Sequence, residues 1–189
     1  MLDRRSCLAR ANHDRGLRPV RFIIFVLCAA IAACAPQGGR CDITVTQDVA
    51  FTAPDAQERI TTHAFGESCD RAIALYAIHD AEGYPVWSWS TPLARAFGEA
   101  FVQSDDDHMR DFLTRWGQPS VSTTQSAPEW ERLAPGQTTL GRLTYDDIRA
   151  RDLPMLCHAS GTAREVCVFW EPVAGGAGLY FERDVEEAE

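Results

Sequence analysis

The stretch Ala72-Ile73-Ala74-Leu75-Tyr76-Ala77-Ile78, then Asp80-Ala81-Glu82-Gly83, then Tyr84-Pro85-Val86-Trp87-Ser88-Trp89 decides the fold class of this chain. A run of strand formers enters a turn of small and acidic residues. In the run that follows, Val86 and Ser88 share one face while Trp87 and Trp89 share the other. Side chains alternate along a strand, so this spacing predicts a hairpin with one aromatic face. Pro85 donates no ladder hydrogen bond and belongs at a strand start or an edge.

Working upstream, Ile43 and Val45 alternate with Thr44 and Thr46 as a short strand, which Val49-Ala50-Phe51 extends after a turn. Residues 59–65 form a further strand. Downstream, Thr91-Pro92 reads as N-cap and first helical residue. Leu93, Ala96, Phe97, Ala100 and Phe101 then recur at helical spacing. Ser104-Asp105-Asp106-Asp107 opens a second helix carrying Met109, Phe112, Leu113 and Trp116, with Gly117 as its C′ residue and Pro119 as its stop. Residues 118–138 read as loop, broken only by Glu129-Trp130-Glu131-Arg132-Leu133. A short helix is expected over 145–151, ending near Pro154. Strand patterns return at 155–158, 166–170 and 179–181, the last two separated by Gly175-Gly176-Ala177-Gly178. Strands, helices, then strands predict a single α+β domain: an antiparallel sheet with two helices packed on one face. Its expected span is 41–182, with 183–189 as a frayed acidic tail.

The N-terminal region has a different character. Residues 22–33 are an unbroken apolar run, preceded by arginines at 4, 5, 10, 15, 18 and 21 and closed by Ile31-Ala32-Ala33-Cys34. As a helix the run would rise roughly 18 Å, short of the ~30 Å hydrocarbon core, which favours a signal segment over a permanent span. The pattern resembles a bacterial lipoprotein signal peptide with its lipobox. The resemblance implies that residues 1–33 are removed and that Cys34 carries a thioether-linked diacylglycerol and an N-linked fatty acyl chain such as palmitate. Each buried methylene contributes ~0.8 kcal/mol, and stable anchoring needs about two chains. Ala35, where an aspartate would signal inner-membrane retention in such lipoproteins, implies the periplasmic face of the outer membrane. Residues 34–40 are then a short lipidated tether rich in turn formers. The Arg4-Arg5 pair lies too far from the apolar run for a twin-arginine signal. Initiation at Val20 would give a more compact leader.

The mature chain from Cys34 holds twelve arginines and 25 acidic residues, a formal charge near −13, and lysine is absent throughout. Such a surface lacks the cationic stripe that nucleic acid requires, so no nucleic-acid partner is expected. It suits solubility, a basic partner or divalent cations. Besides Cys34, the cysteines are 41, 69, 157 and 167, an even number that reads as two disulfides in an exported protein. Of three possible connectivities, Cys41–Cys69 with Cys157–Cys167 is preferred, because each pair lies in a segment able to fold back on itself. Ser160-Gly161-Thr162 supplies the turn of the second.

Two clusters invite a metal reading. Asp105-Asp106-Asp107-His108 offers hard ligands, but neighbours on a helix diverge and carboxylates at a helix start are stabilised by its dipole, so capping is expected. Met155, Cys157, His158 and Cys167 would form a soft site only with free thiolates, and Cys157 and His158 point to opposite faces of a strand. No metal or cofactor is expected. His63 and His79 sit in strand-like sequence, and no hydrolase, P-loop or zinc-protease motif occurs. Trp87, Trp89 and Trp130 are candidates for an exposed aromatic surface, with core packing as the plainer role.

Ser160-Gly161-Thr162-Ala163-Arg164, then Phe169-Trp170 and Gly176-Ala177, is similar to the S-G-x-R-Y and downstream F-W and G-x-A pattern of membrane-bound C-type lysozyme inhibitors. Here the arginine is displaced by one position, and Glu165 stands where that family has tyrosine. The resemblance implies a small β-barrel that binds a cationic lysozyme. The leading expectation is a lipid-anchored periplasmic domain without catalysis, serving interaction or envelope maintenance with a protein partner. Lysozyme inhibition is the alternative, and a small periplasmic hydrolase is the second.

Overall fold

The computed structural model describes residues 40–101 and 105–185. The signal segment, Cys34, most of the tether, Ser104 and residues 186–189 lie outside the described residues. Among the described residues the strands are β1 (Cys41–Val49), β2 (Glu58–Gly66), β3 (Ile73–His79), β4 (Pro85–Pro92), β5 (Ser120–Thr123), β6 (Pro154–Gly161), β7 (Arg164–Glu171) and β8 (Gly176–Asp184). The helices are α1 (Leu93–Phe97), α2 (Asp106–Trp116) and α3 (Arg142–Ala150). Among the described residues no helix is long and apolar enough to cross a membrane.

The strands form two four-stranded antiparallel sheets, ordered β1-β2-β3-β4 and β5-β6-β7-β8, where one sheet was expected. The first sheet is one-sided. Along β1, Cys41 and Ile43 are buried while Asp42, Thr44, Thr46 and Asp48 alternate with the inward residues. Its inner face meets α2 over β1 and β2 and the second sheet over β3 and β4. The decisive hairpin forms as its spacing predicts. Gly83 takes φ +91 in the turn, a conformation cheap only for glycine, and Asp80 closes it by accepting from Tyr84 N–H at 2.7 Å. Pro85 begins β4.

The second sheet is buried on both faces through β6 and β7. Leu156, Val166 and Val168 enter the core shared with the first sheet. Met155, Cys157, Cys167 and Phe169 enter a second core under α3 and the segment after β5. A bulge between β7 and β8 sets Cys167 opposite Phe181 but Val168 opposite Leu179. Tyr180 is the extra residue, so Tyr180 and Phe181 both reach the second core.

Several boundaries depart from expectation. The helix at 91–101 is shorter: Thr91 and Pro92 belong to β4, and α1 stops at Gly98, whose φ of +75 leaves the helical region before a 3-10 turn, Gly98–Phe101. Only α2 is a long helix against the first sheet. Residues 120–123 are a strand and not loop. All four are exposed, so the edge strand is held by its ladder and carries no apolar signal. The helix at 145–151 is α3, starting at Arg142. The acidic tail at 183–189 is misjudged at its start, because β8 runs to Asp184. Arg164 pairs there with Glu182 and Asp184 across the ladder, and Val185 N–H donates to Ala163 O at 2.8 Å.

Both disulfides form with the preferred pairing. Cys41–Cys69 ties the first residue of β1 to the β2–β3 connection. Cys157–Cys167 joins directly opposed residues of the β6–β7 hairpin. Glu58, 3% exposed, accepts from Phe51 N–H (2.8 Å), Thr52 N–H (3.1 Å) and the Thr52 hydroxyl. A buried carboxylate is tolerable when its oxygens are met by donors in this way, and it fixes the β1–β2 connection.

Candidate functional site

Among the described histidines, the one whose pKa is displaced is His158 on β6. Its ring stacks on Tyr76 with centroids 4.0 Å apart and contacts Trp89 edge-on at 5.9 Å. Nδ1 faces the Ala159 carbonyl at 3.0 Å and must donate, so Nε2 holds the lone pair that accepts from Trp87 Nε1–H at 3.4 Å. Burial pulls the ring's pKa down to about 4 against the small opposing effect of the Ala159 bond. The imidazole is therefore neutral at pH 7 with both nitrogens engaged. Trp116 Nε1–H donates to the same Ala159 carbonyl at 2.8 Å, and Burial pushes the Tyr76 hydroxyl pKa upward. That hydroxyl has no hydrogen-bond partner among the described residues. These residues are an aromatic seam between the sheets, in which His158 is only 2% exposed.

The remaining sequence candidates resolve into structural roles. Asp105 is the N-cap of α2, accepting from His108 N–H at 2.8 Å, with Asp106 and Asp107 in the first turn. Cys157 and Cys167 lie close to Glu165, but the sulfurs are joined to each other and Glu165 pairs with Arg183. His158 faces the other side of that strand, as alternation requires. His63 pairs with Asp42 at 2.8 Å on the outer face of the first sheet. Among the described residues no hydroxyl or thiol bonds to a histidine ring. Trp87, Trp89 and Trp130 are half-buried and pack against the cores.

Among the described residues, open clefts include one at Asp48, Val49 and Ala50 beside Ala56 and Gln57, and two that carry arginines. The first, about 440 Å3, lies where α1 abuts the β6–β7 turn and includes Arg95, Ser160, Thr162 and Arg164. Thr162 N–H donates to Ala96 O at 3.1 Å and fixes the turn against the helix. The second, about 540 Å3, is lined by Arg132, Arg149 and Arg183 with Gln125, Gln137 and Glu129. No sequence spacing links these arginines, and Arg183 had fallen in the expected tail.

The second cleft has walls of irregular backbone held by specific bonds. Thr124 donates its hydroxyl to Ile148 O (2.8 Å) and accepts from Leu153 N–H (2.9 Å). Tyr145 hydroxyl donates to Pro128 O (2.9 Å), and Arg149 Nε–H donates to Ala127 O (3.1 Å). Thr138 hydroxyl reaches Tyr180 O (2.6 Å), and Glu182 N–H donates to Gln137 O (2.6 Å). Tyr145 and Tyr180 stack beneath at 4.4 Å. Long segments without regular structure inside compact domains are usually functional, and this one is stapled at both ends. Comparison with family models, curated proteins and solved structures gives no match to this chain.

Proposed function

We propose that the mature chain is a lipid-anchored envelope protein, fixed by acyl chains on Cys34, whose single domain works by binding and not by catalysis. The observation that carries the binding half is the contrast between His158 and the clefts. The most perturbed histidine is sealed and neutral, whereas the open polar surfaces present arginines, amides and hydroxyls. The anchoring half rests on the lipobox. The first described strand begins at Cys41, and residues 34–40 would span at most about 25 Å when fully extended. Two disulfides fit an oxidising compartment. The outer membrane's periplasmic face is the expected location.

Metabolic labelling with an alkynyl fatty acid tests the anchor. The wild-type protein should carry the label and sediment with membranes, and Cys34→Ser should lose both properties. A labelled Cys34→Ser protein, or an unlabelled wild type, would overturn the anchoring. The second reading is lysozyme inhibition, favoured by the exposed Ser160–Arg164 turn on the rim of the smaller cleft. Arg164 is held there by Glu182 and Asp184. Titrating the protein against a cationic lysozyme and following cell-wall lysis decides it: no inhibition at stoichiometric excess removes this reading.

A further inference from the structure

Arg132, Arg149 and Arg183 come from three separated stretches of an acidic chain and line one open cleft. Their hydrogen-bonding capacity is unequally used. Arg183 is paired with Glu165 across the β7–β8 ladder and lies over the Phe181 ring. Arg149 spends Nε–H on the Ala127 carbonyl. Arg132 has no side-chain partner among the described residues. Gln137 accepts from Ala134 N–H through Oε1 at 2.9 Å, so its amide N–H groups remain as donors. Among the described residues Glu129 is the one carboxylate in the lining. Donors and positive charge exceed acceptors there, while the chain as a whole is strongly negative. A guanidinium fork matches the paired oxygens of a carboxylate or phosphate, and fixed walls reduce the ordering cost of binding.

We propose that this cleft is an oxoanion site, taking a carboxylate or phosphate borne by a small molecule or peptide end. Arg132 and Arg149 supply the charge, and Gln137 supplies a neutral donor. The site deepens the reading of the domain as a binding module and is independent of the lipid anchor.

The test is calorimetric titration of the mature lipidated protein in neutral detergent at low salt. One arm uses inorganic phosphate and the other N-acetylglutamate, which separates the two sources of the oxoanion. Saturable binding of one or both at one site per chain is expected, weakening as ionic strength rises. Arg132→Gln should weaken it by about tenfold or more with the melting temperature unchanged. Arg59→Gln removes an equal charge from the exposed outer face of the first sheet and should change affinity by less than about twofold, since screening isolates distant surface charges. Cys34→Ser protein should bind as wild type does, so a failed anchor and a failed cleft give different results. Absence of saturation with both probes, or equal weakening by the Arg132 and Arg59 substitutions, would overturn the proposal.

Discussion

The two sheets share strand number and antiparallel order, yet their strands are written by different rules. In β1 and β2 of the first sheet, inward apolar residues alternate with outward polar ones, and the outer face carries His63, Thr44 and Arg59. In the second sheet β6 and β7 read as nearly continuous apolar runs, because helix α3 and the 124–138 segment cover the face turned away from the first sheet. A sheet with one wet face needs only alternation. A sheet between two layers needs apolar residues at every position and something to cover it. The cover is where the arginine cleft is built, so the extra layer carries both stability and the candidate site.

Core truncation should separate the sheets most sharply. Leu156→Ala, fully buried between the layers, is expected to cost about 2–5 kcal/mol, whereas Leu75→Ala on the half-buried outer face of β3 should cost about 1 kcal/mol or less. Urea denaturation midpoints measure both, and equal costs would mean the second sheet is not the central layer.

The disulfides give the next comparison. On the chain-entropy model, replacing Cys41 and Cys69 by alanine removes a 28-residue closure and should cost about 3.5 kcal/mol, against about 2.7 kcal/mol for the 10-residue closure of Cys157 and Cys167. Thermal melts of the two double variants would show which contribution governs. A larger loss from the second pair would mean that its packing in the second core outweighs loop entropy.

Protonation probes the seam itself. His158 has a folded pKa of about 4 against 6.5 when exposed, so the unfolded chain takes up a proton first as pH falls. Its contribution is complete above pH 6.5 and is lost progressively down to about pH 4. By pH 5 the loss should be about 2 kcal/mol. Following the denaturation midpoint from pH 7.5 to 5 checks this, and His158→Phe should flatten the slope. A wild-type profile without slope would mean that the ring is accessible to solvent.

The smallest effect lies at the end of α3, in the cover of the second sheet. Asp152 adopts φ +53, which favours glycine. Asp152→Gly should gain about 0.5–1 kcal/mol, and differential scanning calorimetry would register it as a small rise in melting temperature. A fall would show that the aspartate side chain holds the turn.

Legibility followed the same division. The β3–β4 hairpin, the acidic start of α2 and the face assignment of Trp87 and Trp89 were readable because each depends on neighbours within a few residues. The β5 strand was not readable, since Ser120-Val121-Ser122-Thr123 has no buried side chain and is held only by backbone pairing with β6. The length of β8 was missed for a related reason: Glu182 and Asp184 resemble a frayed tail until Arg164 stands opposite them. The arginine cleft was invisible because its three cations meet only after β8, α3 and the loop have packed.

By itself, then, the sequence determined the lipobox pattern at Cys34, the acidic balance and the local hairpins, all properties of short stretches or of composition, and it favoured one disulfide pairing of three. Tertiary structure alone decided that the strands divide into two sheets, that His158 is sealed between aromatic rings, and that Arg132, Arg149 and Arg183 share a cleft. Local propensity and alternation act over a few residues, whereas layer order and convergent charge are set by contacts between residues tens of positions apart.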